Sequence, residues 1–297
     1  MASDGTDVWV ANPSRGSVTE FAAATGALVR VIRSSKDGLN FPGGIATNGT
    51  DVWVANTYGR SVTELSARTG VLVRVIEGAG FGLFSPSSIA ADSRHVWVVS
   101  GPAGAVTELS AASGRLVRVV SGEQLGLAHP DAVISNGTHV WVANAVGNSI
   151  TELNAATGKL VRIDSATRDG LHEPDALALR GNDLFVANGS NTLSELVASS
   201  GTLVRIIHGS RLGLRHPVAL ATDGTELFAA NATSNSVTEI DARDGALVRL
   251  LQGPSYRFDD PVAVVADGAR GWVINDAGDS VTGFDVPSGA LVRVLTG

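Results

Sequence analysis

A short apolar run closed by Asn recurs seven times at a nearly fixed interval in this 297-residue chain, and that interval restricts the fold more than any other feature. The run reads V-W-V-A-N at 8–12, 52–56 and 140–144, and V-W-V-V-S at 96–100. The set is completed by L-F-V-A-N at 184–188, L-F-A-A-N at 227–231 and G-W-V-I-N at 271–275. Its aromatic residues, Trp9, Trp53, Trp97, Trp141, Phe185, Phe228 and Trp272, are spaced by 44 residues except for one step of 43. A period of this size is the mark of a repeat architecture. Composition does not shift along the chain, so the predicted organisation is one domain over 1–297.

Each copy holds four strand signals. In the second copy, 43–47 is a short apolar strand (a) followed by the turn Asn48-Gly49-Thr50. Strand b, 52–55, is β-branched and aromatic throughout, as suits a strand buried on both faces. Strand c is 61–65, a turn follows at Arg68-Thr69-Gly70, and strand d is 72–76. A four-stranded antiparallel meander repeated seven times describes an all-β, seven-bladed β-propeller. An open solenoid would need polar capping repeats, and the end copies are ordinary inside. The first copy has room only for a stub of strand a, because Met1-Ala2-Ser3-Asp4 aligns with Ile45-Ala46-Thr47-Asn48. A closing contact between last and first blades is therefore expected to rest on side-chain packing without strand exchange.

Composition bounds the partners. Apolar residues make up 44% of the chain, enough to bury a large core, and a net charge of −7 with no run of Lys or Arg argues against nucleic-acid and anionic-membrane surfaces. There is no Cys, which excludes disulfides, thiolate metal sites and a Cys nucleophile. No stretch approaches the length of an apolar membrane span, so a soluble monomer is expected, in a compartment left open between extracellular and cytoplasmic.

The pattern V-W-V-A-N, a loop of four, then S-V-T-E-L-x-A-x-T-G-x-L-V-R-V-I at 52–76 resembles the YVTN-type and NHL-like β-propeller repeats. The resemblance covers essentially the whole chain. It implies a propeller fold and leaves activity open, since such propellers include surface-layer and binding proteins. Virginiamycin B lyases are remoter propeller relatives in which His and Glu act with Mg²⁺, but this chain contains no E-x-H tripeptide.

Residues present in every copy are expected to build the copy. Arg30, Arg74, Arg118, Arg162, Arg205, Arg249 and Arg293 recur in strand d; Glu20, Glu64, Glu108, Glu152, Glu195 and Glu239 recur in strand c, where Gly283 breaks the series. They predict a ladder of cross-strand ion pairs. The Asn after strand b is expected to hydrogen-bond its own turn. Asp164, at a strand-d position otherwise apolar, is expected to be a paired or edge carboxylate.

Function is sought where the copies differ. The residue before the Pro that opens strand a is Phe41, Ser85, His129, Glu173, His216 and Asp260 in turn, with Asp131 and Asp175 one residue past that Pro and His172 and Asp259 nearby. A propeller brings its d–a loops to one channel mouth, a usual ligand site. The b–c loops, including Tyr58 and Arg60, are expected on the same face, where Tyr58, Arg60 and Phe41 would form an aromatic and cationic contact patch. The leading reading is a non-enzymatic scaffold or binding module for an unknown protein or small ligand, with a rim of Phe41, Tyr58, Arg60, Asp131, Asp175 and Asp260 and no cofactor. The alternative is a metal-assisted lyase or hydrolase of the virginiamycin B lyase type at the channel mouth, with His129, Glu173 and His216 catalytic and a divalent metal held by these residues and Asp260. A third reading is a structural repeat module, excised from a larger extracellular protein or engineered.

Overall fold

The computed structural model of the chain describes residues 1–33, 37–165, 170–209 and 212–296. They form a seven-bladed β-propeller of four-stranded antiparallel sheets. Each blade runs a-b-c-d in both chain and sheet order, and the blades span 2–32, 42–77, 86–121, 130–165, 174–208, 217–252 and 261–296. The second is typical, with strands Pro42–Thr47, Asp51–Asn56, Ser61–Ser66 and Leu72–Glu77. Its a–b turn is tied by Asn48, whose Oδ1 accepts the backbone N–H groups of Thr50 (3.0 Å) and Asp51 (2.8 Å). Strand b is buried from Val52 to Asn56, while strand d, the free edge, leaves Val73 exposed. The first strand a is the expected stub, Ala2–Ser3, with Ala2 opposite Trp9.

The chain parts into two compact units, Met1–Ala22 with Ala27–Ile163, and Ala23–Gly26 with Asp164–Gly297. In the first, cores lie between successive blades. Trp9, Val18 and Ile32 of blade 1 pack on Ile45, Val52 and Leu65 of blade 2, and Trp53 and Val62 of blade 2 pack on Ile89, Val96 and Leu109 of blade 3. The second unit repeats the arrangement, with Phe185 and Leu193 against Leu227 and Ile240, then Phe228 and Val237 against Val273 and Phe284. Burial of such side chains, each worth about 1.5–3 kcal/mol, is the main force holding neighbouring blades together.

The repeated polar residues are structural in both units. Where the copy carries the strand-c Glu, a row runs aromatic, Glu, Arg across the sheet: Trp53 stands opposite Glu64, and Glu64 opposite Arg74. The Glu carboxylates are buried and paired, with Arg Nε to Glu Oε2 distances of 3.1 Å for Arg30–Glu20, 2.9 Å for Arg74–Glu64, 2.7 Å for Arg118–Glu108, 2.5 Å for Arg205–Glu195 and 3.0 Å for Arg249–Glu239. Arg162 pairs with Glu152, which also receives His139. At Glu20, Glu64 and Glu239 the guanidinium approaches off the line of a hydrogen bond, so the buried Oε2 is charge-paired without a donor aimed at it. Burial outweighs that pull and pushes Glu64 up to about 7. Glu239 rises to about 8, chiefly by burial and then by the neighbouring carboxyl of Glu226.

Within each unit, Arg side chains of this row then reach the c–d turn of the next blade. Arg30 and Arg118 donate to the carbonyls of Arg68 (3.3 Å) and Ala156 (3.0 Å) in the first unit, and Arg205 to that of Arg243 (2.7 Å) in the second. Gly70, at φ 68°, has no side chain because a Cβ would lie 2.6 Å from Arg30 Cδ. Within the second unit Arg293 donates to the carbonyls of Thr25 (3.3 Å) and Gly26 (3.2 Å), and Trp272 Nε1–H to that of Ala23 (3.0 Å). The seventh blade thus holds the first c–d turn by side-chain packing and hydrogen bonds. Asp164 is buried in its strand.

The Asn that ends strand b does more than serve its own turn. Asn56 Nδ2 donates to Val54 O (3.4 Å) and crosses to strand c, meeting Ser61 Oγ (3.2 Å) and Thr63 Oγ1 (2.9 Å). Thr63 Oγ1 in turn donates to Asp37 O (2.7 Å) in the preceding d–a loop. The same relay runs through Asn231, Thr238 and Leu212 O in the second unit. It fixes the loops on which the variable residues stand.

Candidate binding surface

The residues before the strand-a Pro share one unusual backbone state. Phe41, Ser85, His129, Glu173, His216 and Asp260 all have φ between 48° and 56°, in the left-handed region that costs a side chain about 1–2 kcal/mol. The conformation turns their carbonyls toward the b–c loop of the same blade. Phe41 O accepts Thr57 N–H (3.0 Å), His129 O accepts Ala145 N–H (3.2 Å), His216 O accepts Ala232 N–H (3.0 Å) and Asp260 O accepts Asp276 N–H (2.9 Å). Glu173 O likewise accepts Gly189 N–H (3.0 Å). The backbone alone performs this task, which leaves the side chains free to differ. It also joins d–a and b–c loops in the second, fourth, fifth, sixth and seventh blades.

In the first unit those loops gather aromatic rings. The rings of Phe41 and Tyr58 stack with centroids 4.3 Å apart and planes 22° off parallel. The guanidinium carbon of Arg60 lies 4.4 Å from the centroid of Phe84. Among the described residues the exposed large aromatic side chains are Phe41, Tyr58 and Phe84, and all three stand on adjacent loops of blades 2 and 3. Sequence reasoning groups Arg60 with Phe41 and Tyr58; its ring partner is instead Phe84, which was missed. The signal was present one column upstream of the pre-Pro residue, where Asn40, Ala128, His172, Arg215 and Asp259 are the counterparts of Phe84.

Arg60 is out of place for its backbone. It sits at φ 50°, and the matching loop residues of the other blades are Gly16, Gly104, Asn148, Asn191, Asn235 and Asp279, all at positive φ. Gly, Asn and Asp are the residues that tolerate this region, whereas Arg gains nothing there locally. Beside it lies a recess of about 660 Å³ lined by Arg60, Glu77, Gly78, Ala79, Gly82 and Phe84 among others, a size that suits a small ligand or a short chain segment. No carboxylate of the described residues lies within ion-pair distance of Arg60, whose ring contact is the one to Phe84.

The remaining rim residues are divided between the units. In the first, His129 Nδ1 is 3.1 Å from Asp131 Oδ1, and both are partly exposed. In the second, His216 Nε2 is 4.0 Å from Asp175 Oδ2, and the His216 N–H donates to Asn191 Oδ1 (2.6 Å). Asp260 N–H donates to Asn235 Oδ1 (2.9 Å), so its loop is tied to blade 6. His129 thus belongs to one unit and Glu173, His216 and Asp260 to the other. Among the described residues no group of three or more His, Asp or Glu is placed to hold a metal ion, and no helix is long and apolar enough to cross a membrane.

No protein-family model matches the chain, and no curated protein does. Solved structures share its fold. It is similar to the Kuenenia stuttgartiensis hydrazine synthase at 17% identity and TM-score 0.78, over 96% of this chain and 94% of that one. The computationally designed Ika8 protein matches at 15% identity and TM-score 0.71, over 99% and 86%. U3-55K matches at 10% identity and TM-score 0.74, over 95% and 85%. At these identities the likeness is one of fold.

Proposed function

We propose that the chain is a binding module, a propeller of the YVTN and NHL-like kind, and that its contact surface is the aromatic and cationic patch of Phe41, Tyr58, Arg60 and Phe84. One observation supports this above the others: every exposed large aromatic ring of the described residues stands on two adjacent blades. Exposed aromatic rings clustered with an Arg are the usual anchors of recognition surfaces, because they bury much area at little entropic cost. Loops on a rigid sheet frame suit binding without chemistry.

The test is a saturation-transfer NMR screen of small aromatic, carboxylate and sugar fragments against the wild type and a Tyr58→Ala/Arg60→Ala variant. Both residues are on the surface, so the variant is expected to fold and melt within a few degrees of the wild type. Binding through the patch predicts that most fragment signals vanish in the variant. Signals that persist unchanged would place recognition elsewhere and end this reading.

A further inference from the structure

We infer that the patch and the recess beside it take an extended peptide segment in which one carboxylate is flanked by proline or aromatic residues; this rests on the patch being the binding surface. The guanidinium of Arg60 lies over the Phe84 ring. Stacking satisfies the face of the guanidinium and leaves its N–H edge for an acceptor, and a carboxylate is the acceptor whose two oxygens match that edge. No carboxylate of the described residues fills this role, although six of the strand-d Arg residues are paired with Glu. Arg60 also holds a backbone position where the other blades use Gly, Asn or Asp. A cationic side chain kept at a strained site with a ring for its face and no internal carboxylate for its N–H edge points to an external acceptor.

The rest of the recess selects among anions. Glu77 lines it together with Arg60, so a dense polyanion such as a nucleic acid or a polyuronate would meet a like charge there, on a chain whose net charge is already −7. A peptide carries its carboxylate singly and offers backbone N–H groups to Glu77. Gly78, Ala79 and Gly82 also line the recess, and a Cβ on Gly80 in the same loop would meet nothing within 4 Å. An extended backbone can therefore approach this loop closely. The stacked Phe41 and Tyr58 rings, with Tyr58 67% exposed, supply the flat apolar platform on which proline and aromatic side chains dock.

The experiment is a positional-scanning array of hexapeptides, with trigalacturonate as an anionic sugar probe, measured on the wild type, Arg60→Ala, Arg60→Lys and Tyr58→Ala. The expected result is enrichment of Asp or Glu next to Pro, Tyr, Phe or Trp. Arg60→Ala should weaken the best peptides at least ~10-fold, with partial retention in Arg60→Lys, since a charge-assisted bidentate pair is lost. Tyr58→Ala should weaken peptides irrespective of the acidic position. Peptide binding without an acidic preference, or an acidic preference unmoved by Arg60→Ala, overturns the inference. Trigalacturonate binding that needs Tyr58 and Arg60, without peptide binding, overturns it while leaving the patch as the binding surface. If neither probe class nor the fragment screen depends on these residues, both readings fail.

Discussion

Gly283→Ala in the seventh blade adds one methyl group and should destabilise the protein, although alanine is ordinarily the better strand residue. Gly283 replaces the Glu of the other six rows, and the indole of Trp272 fills the vacated space: a Cβ built on Gly283 would lie 2.7 Å from Trp272 Cη2 and 2.8 Å from Cε3. Trp272 is fully buried and donates to Ala23 O at 3.0 Å. A displaced indole therefore loses that bond, worth about 0.5–1.5 kcal/mol, on top of about 1–3 kcal/mol for overpacking. Removing a glycine from a strand returns about 0.5–1 kcal/mol. The balance is a loss of about 2 kcal/mol. With an unfolding entropy of roughly 2.1 cal/mol/K per residue, a cooperative chain of this length would melt about 3 °C lower. Thermal unfolding followed by circular dichroism measures this, and a variant melting at or above the wild type would refute the packing account. A second arm separates size from chemistry. Trp272→Phe with Gly283→Glu recreates the Phe–Glu–Arg row of Phe228, Glu239 and Arg249, with Arg293 already in place opposite position 283. Gly283→Glu alone should be worse than Gly283→Ala, and adding Trp272→Phe should recover more than half of the loss. Additive effects would show that the two positions do not share one space.

Three further outcomes follow from the same geometry. Ser100 occupies the place of the strand-b Asn in blade 3, and its buried hydroxyl has no partner; Ser100→Asn should reach Thr107 as Asn56 reaches Thr63 and stabilise by about 1 kcal/mol, read as a small rise in Tm. Glu64 and Glu239 have folded-state values raised to about 7 and about 8 from an ordinary 4.5, so their contribution is full below pH ~4.5 and is lost as pH climbs through 7–8. Tm should fall between about pH 5 and 8 and level off above, and Glu239→Gln should flatten that fall; a flat or rising wild-type profile across that window would contradict the assignment. Arg60→Asn exchanges a strained residue for one suited to positive φ, a gain of about 1–2 kcal/mol set against the lost ring contact of about 0.5–1 kcal/mol. Its Tm should match or slightly exceed that of the wild type while ligand binding is lost, and a clear drop in Tm would make Arg60 a structural residue.

The fold was legible because its signals are local and repeated. V-W-V-A-N followed by a loop and S-V-T-E-L states burial, a turn and a second strand within one window, and seven copies average out what any single copy leaves ambiguous. The Glu–Arg ladder was readable for the same reason. What the Asn residues do was not, because Asn56 meets Thr63 seven residues away, and Thr63 meets Asp37 in the loop before. Such contacts belong to register and loop path. The site was legible in part. The rings of Phe41 and Tyr58, grouped from their loops, stack in the structure, but the partner of Arg60 depends on which way a long side chain leaves a left-handed backbone, which spacing does not encode.

Internal repeats supply their own controls for Arg60. In a single-copy protein an Arg at φ 50° would be one outlier among many, with no measure of what its site would otherwise hold. Here six other loops show it: Gly twice, Asn three times and Asp once. The pre-Pro column is the contrasting case. All six of its residues are left-handed, and in five of them a hydrogen bond from the b–c loop to the residue's own carbonyl accounts for the strain through the backbone. Strain shared by every blade is thus part of the architecture. Two departures are confined to one blade: Arg60, and Arg257 at φ 54° where the other d–a loops hold Gly38, Gly82, Gly126, Gly170 and Gly213. Of the two, Arg60 alone stands beside the exposed aromatic rings of the described residues, and that coincidence favours blades 2 and 3 as the proposed binding surface.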